Sequence, residues 1–156
     1  MRRKGKNKKV LTSFVLTCIA FYQVILKRLV THSTNTSLFL LYINDIHKSS
    51  KEFTFYLFAD DTSLTYPNDN LRTLEQTVNN ELEKVSEWLN ANKLTLNVKK
   101  SNYVIFRPRQ KRLPLIPQIK IFNPTLNTRV TLVMKDFVKY LGIMIDSELS
   151  WKETSY

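Results

Sequence analysis

The chain has 156 residues, of which 43% are hydrophobic, and it carries a formal net charge of +11 at pH 7. This size suits one domain with a buried core, and the apolar fraction is ordinary for a globular protein, so both argue against a wholly disordered chain. Because Cys18 is the only cysteine and His32 and His47 are the only histidines, the sequence also excludes internal disulfides and cysteine-rich zinc sites and argues against a histidine metal site, which leaves oxygen ligands for any metal.

The positive charge is concentrated in two blocks. Six of the first nine residues are Lys or Arg, and ten Lys or Arg lie between Glu87 and Asp136 without a single acid. A long segment of one charge sign is typical of nucleic-acid binding, because contacts to phosphates do not depend on base sequence. A solvated basic face explains the same pattern equally well. The charge alone leaves both interpretations open.

Residues 1–36 resemble a leader more than a domain. Val10–Leu26 is a run of 17 residues without a charge that follows the first basic block, as in a signal or a membrane anchor. The run is at the short limit for a membrane span and contains several polar residues, so a buried helix and a non-native leader are alternatives. The polar residues 30–37 then indicate a linker.

A short helix and a hairpin are predicted next. Apolar residues crowded between Leu38 and Ile43 and at Ile46 predict a short buried helix that ends in the polar residues 47–50. In residues 53–66, FTFYLFADDTSLTY, apolar and aromatic side chains alternate along an extended chain, and the strand pattern resumes after two aspartates. This pattern predicts a β-hairpin with Asp60 and Asp61 at its tip.

The two aspartates have two interpretations. Adjacent carboxylates at a tight turn often only bond their own backbone. A turn held by aromatic strands on both sides, however, fixes hard oxygen ligands close together, which is what Mg²⁺ needs when it also binds phosphate oxygens. The pair therefore indicates either a shaped turn or a metal site.

An amphipathic helix of about five turns is predicted after residue 70. Its apolar stripe, with steps of three and four residues, consists of Leu71, Leu74, Val78, Leu82, Val85, Trp88 and Leu89. Asp69 or Asn70 can cap its start, and the run NANK at 90–93 ends it. We interpret the stripe as core and not as a cofactor site.

The remaining residues predict short strands around a basic loop. One or two strands are expected within 94–106, and others at 118–122 and 129–134, whereas the prolines of 107–117 exclude regular structure there. The order of the elements indicates an α+β fold in which an antiparallel sheet carries helices on one face.

Four blocks carry a family resemblance: SLFLLYINDI at 37–46, YLFADDTSL at 56–64, WLNANKLTLNVKKSNYVIF at 88–106 and VKYLGIMIDSELSWK at 138–152. In this order and at these intervals, the blocks resemble the reverse transcriptases of non-LTR retrotransposons of the jockey kind. The resemblance implies a partial polymerase palm at residues 37–156. It also implies an RNA template, a DNA primer and a dNTP as partners, and Mg²⁺ as the cofactor, with Mn²⁺ as a possible substitute.

The resemblance also implies roles for single residues. Asp60 matches the principal metal ligand of the palm hairpin and Asp61 its companion, with Phe58 and Ala59 near the primer terminus. Lys100 matches a lysine that neutralises or protonates the leaving pyrophosphate, next to Asn97 and Ser101, which can equally well only shape a turn. The residues that match the primer-gripping hairpin are Tyr140, Leu141 and Gly142, and those expected along the nucleic-acid backbone are Lys99, Arg107, Arg109, Lys111 and Arg112.

The chain also departs from the family. The family takes another metal-ligating Asp from a strand upstream of the hairpin, whereas the only acids before Asp60 here are Asp45 and Glu52, which match other positions. A Gly-, Pro- and Gln-containing stretch, the fingers and the thumb have no match either. We therefore expect weak or absent metal binding and no polymerase activity from this chain alone, since removing one such group from an active site commonly costs about two to three orders of magnitude in rate.

Two other function classes remain open from the sequence. One is a nucleic-acid-binding module without catalysis, and the other is a membrane-anchored protein that uses Val10–Leu26. A nuclear or cytoplasmic location is expected in preference to a membrane.

Overall fold

The computed structural model describes residues 13–17, 21–23, 41–58, 61–123 and 126–150. Residues 41–43 are helical and continue into a 3-10 helix, Asn44–Ser49, and the one long helix of the described residues is α1 (Leu71–Ala91). The strands are β1 (Ser13–Thr17), β2 (Phe21–Gln23), β3 (Thr54–Phe58), β4 (Asp61–Pro67), β5 (Leu94–Leu96), β6 (Asn102–Phe106), β7 (Lys120–Asn123), β8 (Thr128–Thr131), β9 (Val133–Met134), β10 (Phe137–Tyr140) and β11 (Ile143–Asp146).

Five strands form the main sheet, in the order β3-β4-β1-β6-β9. All of its neighbouring strands are antiparallel except β6 and β9, which are parallel. Three further antiparallel pairs, β2–β5, β7–β8 and β10–β11, lie outside this sheet. Helix α1 contacts β4, β5, β7 and the 3-10 helix. The predicted α+β fold is confirmed. Its small antiparallel sheets and its helices are consistent with a partial palm.

Strand β1 occupies the middle of the main sheet. Ser13 pairs with Pro67 on one side and with Phe106 on the other, and Leu16 pairs with Leu64 and Tyr103. The described parts of Val10–Leu26 are thus strands, not the buried helix considered from sequence. The boundary near residue 37 stays a prediction, but β1 shares a sheet with the domain that follows.

Within the described residues, no helix has the length and the apolar character that crossing a membrane requires.

The predicted hairpin is formed by β3 and β4, which pair from Thr54 with Thr65 to Phe58 with Asp61. Phe55 and Leu57 pack against the core, whereas the alternate residues of β3 are exposed, because successive side chains of a strand point to opposite faces. The ring of Phe53, just before β3, is buried and packs edge to face on Phe55, with 6.3 Å between the ring centroids.

Helix α1 confirms the amphipathic pattern and its cap. The Oδ1 of Asn70 accepts hydrogen bonds from the backbone N–H of Arg72 (2.9 Å) and Thr73 (3.2 Å), which otherwise lack partners at a helix start. The helix ends at Ala91 and Asn92 is its C-cap, both within the predicted run, and Lys93 follows with φ +54°. The buried apolar residues of the helix are Leu74, Val78, Leu82, Val85 and Leu89, and they pack with Ile43 and Ile46 of the short helical segment.

A buried carboxylate ties α1 to the start of the hairpin. Glu81 accepts a hydrogen bond from Ser50 Oγ (2.6 Å) and one from Lys84 Nζ (2.5 Å), and Ser50 Oγ in turn accepts from the backbone N–H of Glu52 and Phe53. Burial raises the pKa of Glu81, but the hydrogen bonds from Lys84 and Ser50 and the charge of Lys84 outweigh it and hold the pKa below its usual range. The turn before β3 is therefore anchored to the helix by a charged group.

The basic loop is irregular, as its prolines predicted, but it is held at several points. Tyr103 is buried and its hydroxyl donates to the carbonyl of Pro117 (2.5 Å). Burial, helped by the charge of Glu75, raises the pKa of Tyr103 to about 12. Asn79 of α1 accepts from the backbone N–H of Lys120 (2.7 Å) and donates to the carbonyl of Gln118 (2.9 Å), so the helix holds the chain as it enters β7.

Candidate functional site

The end of the β3–β4 hairpin carries the candidate acidic residues. Asp61 is the first residue of β4, is partly buried and pairs with Phe58 across the hairpin. Ala59 and Asp60, the two residues between the strands, lie outside the described residues. The hairpin therefore places Asp61 at the predicted tip. The position expected for Ala59 and Asp60 stays a prediction.

Asp61 lies on the face of the sheet that points away from α1. Residues paired across a hairpin share a face, so Asp61 is on the side of Phe58, and Ser63 is on the side of Tyr56. Tyr56 and Phe58 are 49% and 57% exposed, whereas the alternate residues Phe55 and Leu57 pack on the core. The open face of the hairpin thus combines a carboxylate with two aromatic rings.

The strand beside this hairpin brings no carboxylate. Strand β1 pairs with β4, and its sequence, SFVLT, contains no Asp or Glu; no acid precedes Asp45 in the whole chain. Asp45 lies on the 3-10 helix, where it is exposed and paired with Lys48 (2.9 Å), and Glu52 is exposed in the turn before β3. Neither residue belongs to a strand of the main sheet.

The described residues do not make up a site for a divalent metal ion. Across the described part of the chain, no three His, Cys, Asp or Glu side chains lie close enough together to hold one. At the hairpin end, the described residues supply Asp61 as a carboxylate ligand, and one carboxylate is too few for a metal that must also bind phosphate.

Lys100 lies at the same end of the sheet as Asp61. Leu16 pairs with both Leu64 and Tyr103, so the chain before β6 and the chain before β4 lie at one end. The turn that holds Lys100 is built by Asn97, whose side chain accepts from the Lys100 N–H (3.3 Å) and whose carbonyl accepts from the Ser101 hydroxyl (2.9 Å). Asn97 and Ser101 thus shape this turn, while Lys100 is exposed.

The other predicted nucleic-acid-binding residues lie mostly at the opposite end, where Phe106 leads into the basic loop. Arg107 is only 18% exposed: it contacts Glu148 (3.3 Å) and donates to the carbonyl of Lys111 (3.2 Å). Arg109 lies 3.6 Å from Glu148 but is largely exposed. Lys111 donates to the carbonyl of Asp69, whereas Lys99 and Arg112 are exposed. Lys99, Arg109 and Arg112 are therefore better placed for phosphates than Arg107.

The predicted primer-gripping residues form the turn of the β10–β11 hairpin. Tyr140 pairs with Ile143, and between them Leu141 and Gly142 have φ values of +49° and +88°. Positive φ at both central residues defines a type I′ turn, which matches the twist of a hairpin and favours glycine. A Cβ on Gly142 would meet no atom within 4 Å. Glycine is therefore favoured here by the positive φ and not by a lack of space for a side chain.

A groove joins the two hairpins on the open face of the sheet. It measures about 210 Å³ and is lined by Tyr56, Ser63 and Thr65 of the first hairpin, by Phe106, and by Val138, Tyr140 and Ile145 of the second. Tyr140 therefore lies on the same face of the main sheet as Tyr56. Asp61 belongs to that face as well. Tyr56 is not among the site residues predicted from the sequence, although its outward position follows from the alternation in β3.

Comparison with known proteins identifies the family. The family model described as "Reverse transcriptase (RNA-dependent DNA polymerase)" matches residues 33–145, which include the first hairpin, α1, the basic loop and all but the last residue of the second hairpin. No curated protein and no solved structure gives a significant match. Members of the family act on a nucleic-acid template and primer and generally use divalent metal ions. Because the match covers well over half of the sequence, the chain belongs to the reverse transcriptase family.

Proposed function

We propose that this chain is a reverse transcriptase palm of the non-LTR, jockey-like kind that binds nucleic acid but does not polymerise by itself. Its partners are the RNA template and DNA primer of the family, and Asp60 and Asp61 are the remnant of the metal-binding hairpin. The finer subtype rests on the four sequence blocks between residues 37 and 152. The family match supports the coarser assignment.

One observation supports the proposed absence of catalysis: neither β1 nor β3, the two strands that pair with β4, contains a carboxylate. Phosphoryl transfer with two metal ions needs acidic ligands on more than one element, because the ions must hold the attacking and the leaving oxygens at once. Within this chain, β1 is the neighbour of the Asp61 strand, and neither β1 nor any residue before Asp45 is acidic. The strand next to Asp61 therefore supplies no second carboxylate ligand.

The cations that remain exposed support binding. Lys99 and Lys100 lie at the Asp61 end of the sheet, and Arg109 and Arg112 lie at the opposite end, so positive charge is present at both ends of the sheet. Contacts to phosphates need only such charges and no metal. Binding can therefore persist after catalysis is lost.

A primer-extension assay tests the catalytic half of the proposal. The full chain, incubated with a primed RNA template, dNTPs and either Mg²⁺ or Mn²⁺, is expected to incorporate no more nucleotide than its Asp60→Asn/Asp61→Asn variant. Incorporation by the unmodified chain that this double substitution abolishes would show that the site works and overturn the proposal.

A gel-shift assay at low salt tests the binding half of the proposal. We expect the full chain to form a complex with RNA. If no complex forms, the proposed nucleic-acid binding is wrong.

A further inference from the structure

The segment that follows β11 lies against the start of the basic loop. Ser147 joins the two, because its carbonyl accepts from the backbone N–H of Arg107 (2.9 Å) and its own N–H donates to the carbonyl of Asp136 (2.7 Å). The backbone of the next residue, Glu148, is held by Asp146, whose Oδ1 accepts from the Glu148 N–H (2.9 Å). The fold therefore brings a carboxylate to a loop that has no acid of its own.

Glu148 contacts two arginines of this loop, and the two contacts differ. Its Oε1 lies 3.3 Å from Nη1 of Arg107, which is mostly buried and also donates to the carbonyl of Lys111 (3.2 Å). Its Oε2 lies 3.6 Å from Nε of Arg109, which is 73% exposed. Arg107 is therefore held from two sides, whereas the contact with Arg109 is long and open to solvent.

A phosphate can replace Glu148 at Arg109 more readily than at Arg107. A guanidinium binds carboxylate and phosphate oxygens through the same N–H groups, and an exposed ion pair is weak because water and salt screen it. Nε of Arg107, in contrast, is buried and has no hydrogen-bond partner among the described residues. Loss of Glu148 would leave this guanidinium with a further unsatisfied donor. We therefore expect Glu148 to stay with Arg107 when it gives up Arg109.

We propose that Glu148 competes with nucleic-acid phosphates for Arg109 and thereby limits the affinity of the basic loop. A phosphate that reaches Arg109 displaces one oxygen of Glu148, while the other oxygen keeps Arg107 in place. Glu148 is thus a positioning residue and not a ligand of the nucleic acid, because its charge repels phosphates. This inference rests on the proposed nucleic-acid binding and adds a residue that regulates it.

The test measures the affinity of the full chain for a labelled, primed RNA template at low salt by fluorescence anisotropy. Glu148→Gln removes the charge but keeps an oxygen that can accept from Arg107. We expect this variant to bind about threefold to fivefold more tightly than the unmodified chain, which is the scale of one exposed ion pair. The matched control is Glu87→Gln, which removes the same charge at an exposed position near the end of α1 and is expected to change the affinity by less than about twofold.

Removal of Arg109 separates competition from a general increase in positive charge. In the Arg109→Gln background, Glu148→Gln is expected to raise the affinity no more than Glu87→Gln does. A gain that persists in this background, or a single variant that binds no more tightly than the control, overturns the inference but leaves nucleic-acid binding intact. No binding by the unmodified chain overturns the proposed function as well.

A second measurement needs no substitution at Glu148 and decides the matter if Glu148→Gln lowers the melting temperature. The Nε–H signals of Arg107 and Arg109 in the NMR spectrum of the full chain are assigned by substituting each arginine. When the RNA template is added to saturation, the Arg109 signal is expected to shift and the Arg107 signal to stay in place. An unmoved Arg109 signal, or equal shifts of both signals, contradicts the inference.

Discussion

Glu81 shows what a single buried carboxylate does in this basic protein. It is one of four glutamates on α1, and its side chain is 7% exposed. Its oxygens accept from Lys84 and from Ser50, and Ser50 also holds two backbone N–H groups at the entry to β3. The charge is therefore kept inside because hydrogen bonds replace the water that it loses. Through this residue, the helix fixes the chain that leads into the hairpin.

We predict that Glu81→Gln destabilises the chain at pH 7 by about 1–3 kcal/mol, because the charge-assisted hydrogen bonds are lost. Since the pKa of Glu81 is lowered in the folded state, its contribution is complete above the ordinary glutamate value of about 4.3 and disappears as the pH falls through the folded-state pKa. Urea unfolding between pH 7 and pH 3 measures the difference between the two proteins. Glu87→Gln, an exposed position on the same helix, is the control, and a difference that does not shrink with acid would contradict the prediction.

Strand β1 is the element that the structure places most unexpectedly. Val15, at its centre, pairs with Thr65 on one side and with Val104 on the other. A central strand needs its backbone N–H groups for both neighbours, and proline has none.

We predict that Val15→Pro lowers the free energy of unfolding of the whole domain by more than about 2 kcal/mol. Thermal unfolding followed by circular dichroism measures the change. Gln110→Pro places the same residue in the irregular basic loop and is expected to have a small effect. If Val15→Pro leaves the melting temperature unchanged, the domain folds without β1 and a division near residue 37 is correct.

The elements that could be predicted from the sequence are those with local signals. The steps of three and four in α1, the Asn70 cap and the alternation in β3 each lie within a few residues, and the structure confirms them. The position of β1 depends on partners near residues 64 and 104, and an uncharged run by itself suits an anchor, a helix or a strand. Likewise, the groove at Tyr56 and the pairing of Arg107 with Glu148 arise only when distant segments meet.

At the scale of the whole molecule, the charges are divided between the two ends of the main sheet. Asp61 and Lys100 lie at one end, and the basic loop with Arg109 and Arg112 lies at the other. Strand β4 has seven residues, so the two ends are roughly 20 Å apart. A bound strand of nucleic acid must be long enough to reach both.

We predict that Arg109→Gln/Arg112→Gln reduces the slope of log K against log salt by about 2, because each arginine neutralises roughly one phosphate. Affinity for RNA is measured at several salt concentrations on the full chain. Lys48→Gln, an exposed lysine on the 3-10 helix, is the control and is expected to leave the slope unchanged. An unchanged slope in the double variant would show that the basic loop is a solvated surface that does not bind phosphates.

The central place of β1 also has a consequence for how the sheet is assembled. The partner of Ser13 on one side is Pro67, and on the other side it is Phe106. During synthesis, β1 therefore has both edges unpaired until β4 has been translated, and one edge unpaired until β6 has been translated. Pairings between such distant segments form slowly, and open strand edges are where chains associate with one another. The yield of folded protein should therefore depend more on the period before β6 emerges than on the stability that is finally reached.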